Sequence, residues 1–323
     1  MQNGSEDNQP EDNLDAIEGS STPAALHIQP RNRHFSRADI SRHHWVGGHP
    51  YASAFFSALS ASFPKGEAFF IESLRKFEDR VPPKLQREIR AFIQQEAIHS
   101  REHHCFNKHL ENSDYDLSRL ESNIEGVLNR FRDLPEIQHV TATMCMEHMT
   151  AIMAVELISN PAILENVDEE QRNLWLWHGS EEIEHKGVAY DTWLYLTKDW
   201  HPLKRYLTRS LFMAKITYGF VKNRTKGMLD LLQQDGITGL RARLGILRYA
   251  FLGRAAPGRH TLLPWAHWFK PGFHPWDIDD RELIQLAESE YEAAIMESKP
   301  GDDAPTVTEL ADRLKKIKLP KVA

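Results

Sequence analysis

The sequence predicts an all-α fold, a four-helix bundle followed by a helical annex, and three observations carry that reading. Glu-x-x-His occurs twice in helical stretches, as Glu96-Ala97-Ile98-His99 and Glu182-Ile183-Glu184-His185. Each pair is preceded by an apolar helical stretch holding a lone Glu: Glu67 beside Phe63, Phe69 and Phe70, and Glu147 among Met144, Cys145, Met146 and Met149. The intervals match as well, 29 residues from Glu67 to Glu96 and 35 from Glu147 to Glu182. At about 1.5 Å per residue, each allows a run down, a turn and a return to the same height.

The elements follow in chain order. A chain of 323 residues with 41% hydrophobic content can bury a large core, as one large domain or two small ones. The first 30 residues hold six Asp and Glu among Asn, Ser, Gly and Pro, and no basic residue precedes Arg31, so residues 1–40 read as a disordered acidic tail. A short apolar helix is expected over Tyr51 to Ser62, and the first ligand helix from Pro64 to about Arg80, with Pro in its first turn. Pro82-Pro83 breaks the chain and opens the second, which runs to about Asn112 with Leu85, Ile89, Phe92, Ile93, Glu96, His99 and His103 on or near one face.

Leu117 to Phe131 reads as a crossover helix. The third ligand helix spans about Glu136 to Ser159 and stops at Asn160-Pro161, and the fourth follows the capping residue Asp168 and runs to about Thr197. A long link between the second and third ligand helices is what a ferritin-like bundle requires, because those two run parallel. The bundle is therefore assigned to 41–198, a basic annex packed on it to 199–298, and a C-terminal tail with a short helix to 299–323.

The annex differs electrically from the rest. Between Trp200 and Trp276 there are 13 Lys and Arg against Asp230 and Asp235 alone, so this segment carries +11 in a chain of net charge −7. Such a block is expected either to meet something anionic or to dock on the acidic bundle. Leu211 to Val221, interrupted by Lys215, suits a membrane interface, with residues 203–226 touching an anionic surface; it is too short and too interrupted to span. Two cysteines, Cys105 and Cys145, supply neither a disulfide framework nor a Cys-based metal site, and there is no signal-like N-terminus. The expected location is cytoplasmic, with peripheral membrane contact as an option.

Residues three apart on a helix lie about 60° from one another around its axis, so each Glu-x-x-His can grip one metal ion. The expected metal residues are Glu67, Glu96, His99, Glu147, Glu182 and His185. A carboxylate at Glu67 or Glu147 would be costly in such apolar company without a partner. Glu181 competes with Glu182, since it also lies beside His185. His103 and His178 share the inward faces, His178 with Glu181, Glu182 and His185 inside an arc of about 100°. Either can bind metal directly or steady a ligand by hydrogen bonding. His104, His109, His139 and His148 read as solvated or core histidines.

Together, Phe63-Pro64-x-Gly66-Glu67-x-Phe69-Phe70, Gln95-Glu96-x-x-His99-Ser100-x-Glu102-His103, Glu147-His148-x-Thr150, Trp177-His178-x-x-Glu181-Glu182-x-Glu184-His185-Lys186 and Pro271-Gly272-Phe273-His274-Pro275-Trp276 resemble the bacterial family labelled predicted metal-dependent hydrolase. The resemblance covers roughly residues 40 to 290. The site pattern is also similar to that of the wider di-iron carboxylate group, which implies Glu182 as ligand and Glu181 as hydrogen-bond partner of a ligand His. Glu184 departs from that group, many members of which carry Arg there, and His103 and His178 are extra.

Four carboxylates and two imidazoles suit iron or manganese, whereas catalytic zinc more often has three ligands and an open position. The expected cofactor is two metal ions, iron first, with manganese or zinc as alternatives. The leading expectation is an oxygen-dependent oxygenase or oxidase of a hydrophobic small molecule, with an anionic substrate and an electron donor left as options. Its rival is a hydrolase using the same site to activate water. A third reading is an iron-handling protein with no organic substrate, and the bland one is a helical scaffold with fortuitous Glu and His. Nucleic acid is not an expected partner; a homo-oligomer remains open.

Overall fold

The computed structural model describes residues 19–35 and 43–297. It is all-α, with no strand among the described residues. The elements that place the site are α1 (Pro50–Ser60), α2 (Phe63–Arg75), α3 (Pro83–Asn112), a crossover α4 (Ser118–Arg132), α5 (Glu136–Ser159), α6 (Glu169–Glu184) and α7 (Val188–Leu196). The annex follows as α8 (Pro202–Gln234), α9 (Gly239–Phe251) and α10 (Leu262–His267), and α11 (Arg281–Glu297) returns to pack on α6. Pro opens α1, α3 and α8, where its missing N–H has no partner to lose. Glu169 and Glu170 stand in the first turn of α6, favourably placed for the helix dipole.

Helices α2, α3, α5 and α6 enclose the site, and α7 continues the last of these against α3 and α5. The fourth ligand helix, expected unbroken to Thr197, is interrupted at residues 185–187. His185 caps α6 with φ −103° and ψ 6°. A Cβ on Gly187 would lie 2.4 Å from Trp276 Nε1, so only glycine admits the indole. Beside it the Lys186 ammonium donates to Asp280 at 2.7 Å and to the Ile278 carbonyl at 2.8 Å. The break is thus set by a chain segment about 90 residues further on.

The expectation of a disordered tail over 1–40 is corrected for residues 19–35, which run as an extended strap along the bundle. Ser20, Thr22 and Phe35 are buried. The strap has few apolar residues, and its order comes from carboxylates elsewhere in the fold. The Ser21 backbone N–H donates to Asp191, the Gln29 N–H to Glu184, the Arg31 N–H to Glu181 and the Phe35 N–H to Glu102, all between 2.6 and 3.1 Å. The rest of that expectation, and the short helix expected in 299–323, fall outside the described residues.

Arg209 fastens the annex. Its buried guanidinium donates to Tyr190 Oη at 2.6 Å and to the carbonyls of Phe273 and Lys270 at 3.0 and 2.7 Å. His274 Nε2 lies 3.0 Å from Asp191 Oδ1, and the same carboxylate receives Ser21, so strap, α7 and annex meet at one residue. None of the 13 annex cations comes within 4.0 Å of a carboxylate among the described residues, so the excess positive charge of the annex is not neutralised by the acidic bundle; the ion pairs between the two run the other way, as in Arg119–Asp230 at 3.0 Å and Lys186–Asp280 at 2.7 Å. All 12 exposed large hydrophobic residues of the described chain lie between Leu203 and Leu263. No described helix is long and apolar enough to cross a membrane.

Candidate metal centre

Glu67 comes from α2, Glu96 and His99 from α3, Glu147 from α5, Glu182 from α6 and His185 from its C-cap, and each is at most 5% exposed. Their tips fall into overlapping groups whose donor atoms lie within 4.8 Å of one another: Glu96, Glu147 and His185; Glu96, His99 and Glu182; and Glu67, His99 and His178. Glu96 and His99 each belong to two groups. The groups therefore form one continuous cluster that could hold metal, with Glu96 and His99 at its centre.

The hydrogen bonds separate donor atoms facing the centre from atoms already used. Eight buried side-chain atoms of the six residues have no hydrogen-bond partner: Glu67 Oε1, both oxygens of Glu96 and of Glu147, Glu182 Oε2, His99 Nδ1 and His185 Nε2. Every one of the six contributes at least one. Buried polar atoms without a partner are rare because each carries a desolvation penalty, and so many at one point is the pattern of a cation site. The opposite side of three of them is held: His99 Nε2 by Glu181 at 2.9 Å, His185 Nδ1 by Gln95 Oε1 at 3.1 Å, and Glu67 Oε2 by the Ser100 hydroxyl at 2.8 Å.

His103 is not free to coordinate. Asn107 Nδ2 donates to the Ser60 carbonyl, which fixes Asn107 Oδ1 as an acceptor, and the Ser60 hydroxyl donates to it at 2.6 Å. Ser60 Oγ then accepts from His103 Nδ1 at 2.9 Å, and His103 Nε2 accepts from His178 Nδ1 at 2.6 Å. This network assigns a neutral tautomer to His103 and turns His178 Nε2 toward the centre, 2.9 Å from Glu182 Oε1 and 3.7 Å from Glu67 Oε1. Glu181 likewise supports rather than joins the centre: it accepts from Trp177 Nε1 at 3.1 Å and from Arg31.

Electrostatics agree with the geometry. Burial pushes Glu67 and Glu96 well above the ordinary carboxylate range, and Glu147 up to about 7. Burial works the same way on Glu182, but His185 and His178 override it and hold that carboxyl well below the range. Burial, reinforced by His178, keeps His99 well below the usual imidazole value. Two divalent cations would neutralise the four carboxylates Glu67, Glu96, Glu147 and Glu182. Glu181 and Glu184 instead share the Arg31 guanidinium, at 3.2 and 2.9 Å.

The chain matches the model of the family described as predicted metal-dependent hydrolase over residues 29–279. It belongs to that family. No curated protein and no solved structure gives a match. Membership in this predicted metal-dependent hydrolase family gives the hydrolytic reading support that the leading oxidative expectation lacks. The family match begins at residue 29, inside the strap, so it takes in Arg31 and two of its three carboxylate partners, Glu181 and Glu184, but not Glu288.

Sequence reasoning passed over Arg31, Gln95, Ser60 and Asn107. Glu184 held a usable signal, because an extra acid in an inward-facing cluster asks for a cation elsewhere, and Arg31 is that cation. Gln95 sits beside Glu96 and shares its helix face only in part; its role appears once Glu184 and His185 are in view. A separate surface group, His43, His44 and Asp235, is tied to Tyr115 by a 2.9 Å hydrogen bond and joins the N-terminal region to the end of α8.

Proposed function

We propose that this chain is a metal-dependent hydrolase working through a dinuclear centre held by Glu67, Glu96, His99, Glu147, Glu182 and His185. The observation that carries the reading is the set of eight buried donor atoms on those six side chains that make no hydrogen bond of good geometry and converge on one another, His185 Nε2 lying 3.2 Å from Glu147 and 3.3 Å from Glu96. A metal pair there supplies Lewis acidity and a more acidic water. The chain supplies placement and proton handling. Glu181 and Gln95 fix the two imidazole rings, each through the nitrogen that faces away from the centre. His178 Nε2 sits at the edge of the centre, hydrogen-bonded to Glu182 Oε1 at 2.9 Å and oriented by the chain through His103, Ser60 and Asn107, and it would carry the proton passed between Glu182 and the substrate. Phe63 and Thr150 line cavities on two sides of the centre, and their mainly apolar walls limit competing water.

A second reading keeps the same donors and uses iron for oxygen-dependent oxidation. The donor set favours it, since four carboxylates and two imidazoles match iron's preference for hard ligands, and with it a ferritin-like relationship for the bundle. One experiment separates the two. Protein reconstituted with zinc or manganese and assayed under strict anaerobiosis against a panel of esters and amides is expected to release product. Activity confined to iron-loaded protein in the presence of oxygen overturns the hydrolytic reading. His178→Gln is expected to retain two metals per chain while turnover falls at least 100-fold.

We also propose that the annex rests on an anionic bilayer. Leu203, Leu207 and Leu211 form one exposed line on α8, and Leu240, Leu244, Leu247 and Phe251 form another on α9, opposite the buried Ala242, Ile246 and Tyr249. Lys204, Arg205, Arg241, Arg243 and Arg248 lie among them, and none has a carboxylate partner. Apolar side chains interleaved with unpaired cations complement a headgroup layer over acyl chains.

A further inference from the structure

A cavity of about 510 Å³ opens between α2, α4, α5 and α8. Its walls are apolar, with Phe69 and Phe70 from α2, Leu128 and Phe131 from α4, Met146 from α5 and Phe220 from α8. The one acidic residue lining it is Glu67, which is 1% exposed and belongs to the metal centre. The basic lining residues are Arg130 from α4 and Lys215, Lys222, Arg224 and Lys226 from α8. None of these five has a carboxylate within 4.0 Å among the described residues. Charge is therefore segregated: a buried acid on the inner wall, and cations where α8 meets solvent, with Lys215, Lys222 and Lys226 exposed.

Arg224 is the most informative of the five. Its Nη2 donates to Ser62 Oγ at 3.1 Å, while its Nε is buried and has no partner. A guanidinium with an unused buried N–H and no acid nearby is a receptor for an anionic group. The neighbouring lysines add point charges that a polar but uncharged ligand would not need.

We infer that this cavity binds a single-chain amphiphile with an anionic head, the head on Arg224 and Lys222 and the acyl chain running inward toward Glu67. The inference rests on the metal-centre reading proposed above and names the substrate class for it. The volume falls within the range of about 300 to 1,000 Å³ usual for small-molecule sites, and the mix of apolar wall and few polar groups is that of such a site. An anionic head held at α8 leaves the chain, rather than the head, nearest the metals. The scissile bond would then be an ester or amide set along or at the inner end of the chain, which water would cleave to a carboxylic acid and an alcohol or amine.

The test uses dodecanoate and dodecanol, titrated calorimetrically into the metal-loaded full chain below their aggregation concentrations. Dodecanoate is expected to bind at one site per chain, and dodecanol at least 10-fold more weakly. Lys222→Glu, an exposed change that leaves the fold intact, is expected to weaken dodecanoate at least 10-fold and leave dodecanol unaffected. Met146→Trp, which fills the cavity, is expected to abolish both, with circular dichroism confirming that it folds. Equal affinity for the acid and the alcohol, or indifference to both substitutions, overturns the assignment. If dodecanoate does not bind while anaerobic metal-dependent hydrolysis persists, the cavity assignment fails alone. If it binds with the expected selectivity while no ester or amide turns over, the hydrolase reading fails alone.

Discussion

His99 Nε2 lies 2.9 Å from Glu181 Oε2, and that contact leaves His99 Nδ1 as the nitrogen facing the metal centre. Glu181 thus selects the ring orientation without touching the centre. Outer carboxylates of this kind raise ligand basicity and fix the tautomer, and losing one typically costs about 10- to 100-fold in metal affinity. Glu181→Ala is expected to show a loss in that range by competition against a fluorescent chelator. Glu181→Gln, which still accepts a hydrogen bond, should lose less. Equal affinity in all three proteins would mean that Glu181 does not orient His99.

Arg31 offers a sharper test of the strap. Glu181 and Glu184 are buried at 0% and 2% exposure, and Arg31 pairs with both while remaining 20% exposed. Removing one partner of a buried pair leaves an uncompensated charge, which costs about 3 to 5 kcal/mol in full burial and less where solvent screens the remaining groups. Arg31→Ala is expected to destabilise the chain by about 2 kcal/mol in urea unfolding. Pairing it with Glu184→Gln should recover part of that loss, because one of the carboxylates that Arg31 leaves without a partner is gone. A purely additive double variant would show that the Arg31 and Glu184 charges are not coupled.

The metal-free protein should lose stability as pH rises above 6.5. Below that value two sets of groups oppose each other. His99 and His103, held low by burial, favour the fold as pH rises toward 6.5, while Glu67, Glu96 and Glu147, held high, disfavour it from 4.5 upward. Above 6.5 the histidine contribution is complete. Glu147, pushed up to about 7, and Glu67 and Glu96, pushed well above the ordinary carboxylate range by burial, retain protons in the fold that the unfolded chain has released. His185, held high by Glu147 and Glu182 despite its burial, acts in the same direction. By linkage, stability then falls with pH. Thermal unfolding at pH 6.5 and 8.0 should show a lower Tm at 8.0 without metal, and metal loading should remove or reverse the difference, since bound ligands are deprotonated in the fold. A metal-free Tm that rises over this interval contradicts the assignment.

How much could be read from the sequence depended on whether a feature is local. The span of α5, Glu136–Ser159, and the start of α3 at Pro83 are written in proline positions and apolar spacing, which act over a few residues. The convergence of Glu67, Glu96, Glu147 and Glu182 followed from matched intervals along helices. The break at 185–187 did not, because it depends on Trp276 resting against Gly187. The strap was illegible for the same reason: its own residues carry no helical or strand periodicity that would order it, and its partners Glu181, Glu184 and Asp191 lie at least 150 residues away. The alternatives for His103 also needed coordinates, since Asn107, Ser60 and His178 come from three different helices and jointly use both of its nitrogens.

The annex surface predicts lipid selectivity of a particular form. Exposed Leu240, Leu244, Leu247 and Phe251 supply apolar area, but their burial alone would not distinguish neutral from anionic vesicles. The unpaired Arg241, Arg243 and Arg248 on the same helix would, at about 1 kcal/mol for each cation near an anionic surface. The full chain is therefore expected to cosediment with phosphatidylglycerol vesicles at least 10-fold more tightly than with phosphatidylcholine vesicles, and added salt should erode the difference. Leu244→Glu with Leu247→Glu should abolish binding to both, while Arg243→Glu with Arg248→Glu should leave only the weak neutral component. Anionic vesicles bound no better than neutral ones, or binding untouched by the leucine changes, would remove the bilayer as the occupant of this face. Because these four side chains are exposed and remote from Glu67 and His185, metal content should be the same in every variant, which separates a lost docking surface from a misfolded protein.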